Sequence, residues 1–294
     1  MIQTQFKLED NYPFIGKDYL VHKELLTEIV SKYPIAAYDV GTLTEQEFAK
    51  IRNKGFGASD SSVLLEVAYS GKGVPMMTIE ELLYNKEHDI YNEEIAAKAS
   101  VRKGKDLEAL LLEKASKTLN AIIIKPTVMY TNNRGLTTNF DGIIFEPVIG
   151  SHIVTNIQAV PLEIKVCTMW ARKNYNWNIG HCEFSYDPQF SIPKQVLPTV
   201  DKTLSLPEKI EQRAEKLGIP AYYYTQVQQQ ILFTGSDHGY LAVMDDSEWT
   251  MYYFYVPRDE ECIKEIEKRA YTNYVILAKR KNLEIVYEEL EGDI

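Results

Sequence analysis

The spacing of apolar positions changes character along this chain, and each change marks a predicted element. Between residues 100 and 120, Leu107, Leu110, Leu111 and Ala115 recur three and four apart, which predicts an amphipathic helix. Glu108, Leu112, Ala115 and Leu119 lie close to one line along it, so Glu108 is expected near the apolar face. Three shorter helices are predicted before it. The first spans 44–55, where Thr44 with Glu47 fits a capping box and Gly55 a stop. The second is capped by Ser59 or Asp60 and runs to about Gly71, and the third starts at Thr78 with Glu81 three residues on. The period then becomes two. Residues 122–131 and 136–147 are β-branched and aromatic with "NNRG" as the turn between them, and "HIVTNIQAVPLEIKVC" adds one or two further strands. Trp170 to about Pro220 reads as irregular. A helix through "AYYYTQVQQQILFTG", a hairpin of "YLAVMDD" and "WTMYYFYVPRD", and a helix over 260–281 close the chain.

That order predicts a mixed α/β (α+β-like) fold, a central mixed sheet flanked by helices. One domain is expected over 1–294: an extension at 1–43, a core at 44–169 and 221–280, and an insertion at 170–220. Composition adds exclusions. With 45% hydrophobic and 25% charged residues the chain is an ordinary globular one. No apolar run reaches the roughly 18 residues of a membrane span, and the N-terminus lacks a basic-then-apolar leader, so a cytoplasmic protein is expected. Cys167, Cys182 and Cys262 are odd in number and form no CxxC pair, which argues against a disulfide framework or an iron–sulfur or zinc cluster. The net charge of −10 argues against a protein that coats nucleic acid, but not against an enzyme with a locally basic groove.

The candidate chemistry centres on "PLEIKVC" (161–167). Alternation turns Leu162, Ile164 and Val166 to one side and Glu163 and Lys165 to the other. An edge strand with a solvated face, or a neutral Glu–Lys pair, explains this as well as a site does. Asp141, in an apolar strand that a hairpin would bring alongside, and Glu108 on the packed helix tilt the balance. Three carboxylates could converge, and a hard divalent cation offsets the penalty of burying them. A lysine beside them could hold a metal-bound hydroxide or stabilise a phosphorane-like transition state.

An Asp followed by Glu-x-Lys on adjacent strands resembles the restriction-endonuclease-like core of the PD-(D/E)xK nucleases. The surrounding motifs resemble the phage λ exonuclease and YqaJ-type viral recombinase nucleases over roughly 44–280: "RNKGFGASD" (52–60), "GKDLE" (104–108), "NFDG" (139–142), "LEIK" (162–165), "YYYTQVQ" (222–228) and "YVPRDEE" near the end. The resemblance implies a Mg2+-dependent exodeoxyribonuclease, Mn2+ substituting, with two ions per site, that digests linear duplex DNA 5′ to 3′ and leaves 3′ tails for recombination. Asp141, Glu163 and the Ile164 carbonyl would be metal ligands, Glu108 would hold the second metal or its waters, and Lys165 would serve the nucleophilic water. Gln226 would position the scissile strand or Lys165, and Gln228 would be a further DNA contact. Arg52 and Ser59 would hold the 5′-phosphate. Ser59 at a helix start also suits an anion, although a plain N-cap explains it equally. The implied partners are a DNA end, further copies of the chain in a ring-shaped trimer, and a single-strand annealing protein, in a bacterial host's cytoplasm. A restriction or defence endonuclease and an inactive DNA-end binder stay open as alternatives.

Three features depart from the family's pattern. Gly57 stands where a hydroxyl residue can occur, so a phosphate contact is lost or made by backbone. Asp141 and Glu163 are 22 positions apart, and the 172–220 region is enlarged. The aromatics of that insertion (Tyr175, Trp177, Phe184, Tyr186, Phe190), interleaved with Arg172, Lys173 and Lys194, either stack on unpaired bases or pack against protein.

Overall fold

The period-two segments build two sheets. A computed structural model describes residues 35–69, 74–90, 98–121, 123–126, 128–150, 153–184 and 192–283. In the smaller sheet the order is β1 (Ile35–Asp39), β4 (Val128–Asn132), β5 (Leu136–Thr138) and β2 (Phe56–Gly57). In the larger it is β3 (Ile123–Ile124), β6 (Gly142–Gly150), β7 (Ile153–Cys167), β9 (His238–Asp245), β10 (Thr250–Pro257) and β8 (His181–Cys182). β7 and β9 run parallel and the other neighbours of the large sheet antiparallel, so the sheet is mixed as expected.

The two long strands expected at 122–131 and 136–147 are each divided between the sheets. Pro126 follows β3 and can give no ladder hydrogen bond, and β4 beyond it pairs with β1 instead. After β5 the chain turns through Asn139–Asp141, with Phe140 fully buried, before β6 begins.

Alternation along the large sheet separates two cores. Ile144, Val160, Leu162, Ile164, Tyr240, Ala242, Tyr253 and Tyr255 belong to one, and helix α4 (Ala99–Leu119) covers them with Leu111, Leu112 and Ala115. Leu110, expected on that face, is exposed. Ile143, Ala159, Leu241, Val243, Phe254 and Val256 face the other core. There they meet Val227 and Ile231 of α6 (Ala221–Thr234) and Ile263 and Ile266 of α7 (Glu260–Lys281). Glycines permit the closest approaches on the two faces. A Cβ on Gly142 would stand 3.0 Å from Leu112 Cδ2, and one on Gly239 only 2.7 Å from Val227 Cγ1.

The capping boxes of α1 (Glu45–Arg52) and α3 (Ile79–Glu87) form on Thr44 and Thr78 as the sequence predicts. The second helix is a correction. A 3-10 turn at Ala58–Asp60 leads into α2 (Ser61–Leu64), and Glu66 at φ 56° ends helical geometry well before Gly71. The insertion is not wholly irregular either. It holds α5 (Leu206–Lys216), whose capping box (Ser205 with Glu208) and Pro207 in the first turn were visible signals. Tyr175 and Trp177 pack onto β10, with Trp177 and Tyr252 ring centroids 4.7 Å apart, while Arg172 pairs with Asp245 at 3.0 Å. Those two aromatics therefore bind the insertion to its own protein. Tyr186, Phe190, residues 1–34 of the N-terminal extension and the acidic tail lie outside the described residues. Among the described residues no helix is long and apolar enough to cross a membrane.

Candidate active site

Strand alternation sends Leu162 and Ile164 into the α4 core, so Glu163 and Lys165 point to the α6 side. Glu163 is 1% exposed there. Gln226 and Gln230, one helical turn apart, donate their Nε2 groups to Glu163 Oε1 and Oε2, each at 2.5 Å. Lys165 Nζ donates to Glu163 Oε1 and stands 3.8 Å from Asp141 Oδ2. Asp141 lies just ahead of β6, held by the Ile164 N–H, which donates to Oδ2 at 2.9 Å. The Tyr223 ring faces Lys165 Nζ at 5.4 Å from its centroid. Two carboxylates on neighbouring strands thus share one ammonium.

Burial, then the Asp141 charge, pushes the Glu163 carboxyl up to about 7 against the pull of Lys165. Burial works against the Lys165 charge too, but the Glu163 and Asp141 carboxylates more than offset it and hold the amine above the ordinary lysine range. Lys165 is therefore a cation at neutral pH. It can donate a hydrogen bond or balance an anion.

Asp141 and Glu163 fit a hard divalent cation. They are oxygen donors gathered around a cation the protein supplies itself, and Glu163 is raised by burial first and by the Asp141 charge second, both of which a dication would offset. The expected third carboxylate does not join them. Glu108 pairs with Lys125 at 2.6 Å. The reason is topological: α4 packs on the Leu162 face of β7, and Glu163 is on the reverse. Among the described residues no group of three or more His, Cys, Asp or Glu side chains is placed to hold a metal.

Arg52 and Ser59 do meet, with Arg52 Nη2 donating to Ser59 Oγ at 2.5 Å. Ser59 is exposed within the 3-10 turn rather than at the start of a long helix, so the helix-dipole argument for it falls away. The Gly57 N–H is committed to Asp60 Oδ2 at 2.7 Å, which removes it as a substitute phosphate donor. Gln228 is a correction. It is fully buried, donating to the Pro257 carbonyl at 2.7 Å and accepting from the Asp259 N–H at 2.9 Å, so neither end of its amide is left for DNA.

Sequence reasoning missed Gln230, although its spacing from Gln226 was readable. It also missed Gln229, which is fully buried, accepts from Ser61 Oγ at 2.6 Å and donates to the carbonyls of Phe56 and Thr137. One helix therefore grips both Glu163 and the segment beside Ser59. Lys86, buried against Asp60, carried no signal at all in the sequence.

The model of the YqaJ-like viral recombinase domain matches residues 47–237, more than half of the chain and a span that includes every residue of this site. Among solved structures, LHK-Exo in complex with dAMP is similar at 15% identity and a TM-score of 0.49, over 81% of this chain and 94% of that one. The alkaline exonuclease LHK-Exo from Laribacter hongkongensis gives 14% and 0.46 over the same shares. A phage related exonuclease from Haemophilus somnus 129PT gives 14% and 0.40, over 76% of this chain and 94% of that one. No curated protein matches the chain. The chain belongs to the YqaJ-like viral recombinase domain family.

Proposed function

We propose that this protein is a metal-dependent deoxyribonuclease that digests linear duplex DNA from a 5′ end and leaves 3′ single-stranded tails for phage-type recombination. The observation that carries the reading is the Lys165 ammonium held between the Asp141 and Glu163 carboxylates, with Gln226 and Gln230 closing the site from α6. The family supplies the recombination context.

In this reading Asp141, Glu163 and the Ile164 carbonyl hold a Mg2+ or Mn2+ ion, while Glu108 stays with Lys125 outside the site. A bound divalent ion supplies Lewis-acid polarisation of the phosphate and a more acidic water. The chain's own residues do the rest. Gln226 and Gln230 fix the Glu163 carboxylate so that it need not reorganise during reaction. Lys165, released from Glu163, donates to the attacking oxygen or balances charge growing on the phosphoryl oxygens. Arg52 and Ser59 take the 5′-terminal phosphate, to which a guanidinium offers two parallel donors. A ring-shaped trimer whose channel alone is basic reconciles duplex binding with the net charge of −10. A single-strand annealing protein is the partner this reading implies.

The test compares a linear duplex with a covalently closed circle in Mg2+. The wild type is expected to digest the linear DNA and spare the circle. Glu163→Ala and Lys165→Ala should each lower digestion about 10²-fold or more while circular dichroism stays native. Cleavage of the circle would make the protein an endonuclease, and full activity of either folded variant would remove the site.

A further inference from the structure

Beneath Arg52 lies a buried ion pair. Asp60 is 9% exposed and Lys86 2%, and Lys86 Nζ meets Asp60 Oδ2 at 2.8 Å, with the Phe56 ring 5.4 Å beyond. The same Oδ2 accepts the Gly57 N–H. Arg52 Nη2 stands 3.7 Å from Asp60 Oδ1, outside hydrogen-bond distance, and its side chain is 41% exposed. Among the described residues the Arg52 side chain donates only to Ser59 Oγ. Lys281, the next cation towards Lys86, is itself paired with Asp89.

Two cations thus surround one carboxylate, and the one left facing solvent is Arg52. A carboxylate this deeply buried requires a charged partner. Lys86 meets that requirement from the inside. Without it, Asp60 would draw Arg52 inward across the remaining gap into a direct ion pair, and the guanidinium would be consumed by the protein's own anion. Burial raises the Asp60 carboxyl, but the Lys86 and Arg52 charges outweigh it and keep the group ionised, so the competition for Arg52 is real.

We propose that Lys86 is the specificity-setting positioning residue of the DNA-end site: by neutralising Asp60 from below, it keeps Arg52 available for a terminal phosphomonoester. The inference rests on the reading of Arg52 and Ser59 as the 5′-phosphate seat. It predicts that discrimination between phosphorylated and hydroxyl 5′ ends depends on a residue that touches neither DNA nor the reacting atoms.

The readout is the ratio of kcat/KM on linear duplexes carrying a 5′-phosphate to that on the same duplexes carrying a 5′-hydroxyl. The wild type should favour the phosphate, and Arg52→Gln should abolish that preference. Lys86→Met should bring the ratio down at least 10-fold, through KM on phosphorylated ends rather than kcat. The double variant Asp60→Asn/Lys86→Met, which removes both buried charges, should restore it. Should Lys86→Met yield too little folded protein, Lys86→Gln, which keeps a donor to Asp60 without the charge, is expected to behave the same way. A wild-type ratio near one, or no effect of Arg52→Gln, overturns the phosphate seat and the inference with it. A ratio lost in Arg52→Gln but retained in folded Lys86→Met or Lys86→Gln overturns the role of Lys86 alone. So does failure of the folded double variant to recover.

Discussion

Glu163 receives three donors and almost no water, and each donor constrains it differently. Lys165 supplies charge, while Gln226 and Gln230 supply direction, one on each oxygen. Removing a neutral donor from a buried carboxylate leaves a lone pair unsatisfied, which costs about 1–3 kcal/mol. Gln230→Ala is therefore expected to lower unfolding stability by that amount in urea titration and also to slow digestion, although Gln230 reaches no solvent. A Gln230→Ala variant of wild-type stability and rate would show that Glu163 needs no orientation from this side. Glu163 and Lys165 were legible from the sequence because a two-residue period fixes their common face. Asp141 was legible because a hairpin brings its strand alongside. Lys86 was not, because nothing local distinguishes a buried lysine in a helix from a solvated one until its partner, Asp60, is folded against it.

The decisive element is α6. Its polar residues were ambiguous in sequence, since three consecutive glutamines read equally well as a solvated stripe. In the fold each faces a different partner: Gln228 the start of α7, Gln229 the segment beside Ser59, Gln230 the Glu163 carboxylate. This grip requires α6 to lie close on the sheet, and Gly239 is what lets it. Gly239→Ala would place a methyl 2.7 Å from Val227 Cγ1 and 3.0 Å from Pro161 Cγ. Overpacking of this kind costs about 1–3 kcal/mol. The expected result is a lower thermal midpoint together with lost digestion, because a displaced α6 carries Gln226 and Gln230 away from Glu163. An unchanged midpoint would mean that α6 tolerates the shift.

At the scale of the whole molecule, the buried Glu163 couples the site to stability. Its pKa rises on folding from 4.5 to about 7, so the native state holds more protons than the unfolded chain within that window. The stability this contributes is fully present below pH 4.5 and is lost as pH rises through about 7. Glu163→Gln carries no such titration. The difference in unfolding free energy between wild type and Glu163→Gln, measured without metal, should therefore move against the wild type as pH rises across that window. Divalent ions that bind only the native state add about 2.7 kcal/mol at a hundred times their dissociation constant. Mg2+ should accordingly raise the wild-type midpoint more above pH 7 than below pH 5, and raise that of Asp141→Asn much less. Equal shifts in both proteins would place the ion elsewhere.

The sequence by itself determined the local facts: where helices begin on Thr44 and Thr78, which residues of "LEIKV" share a face, and the order of motifs that marks the family. Each depends on neighbours within a few positions, and local geometry is enough to fix it. The tertiary structure decided what meets what. It divided the expected strands between two sheets and drew Gln228 into the core. It placed Glu108 with Lys125, because α4 covers the face of β7 that Glu163 does not use. It set Lys86 under Asp60, 26 residues away in the chain. Those pairings arise from the packing of distant segments, and no period or cap along the chain encodes them.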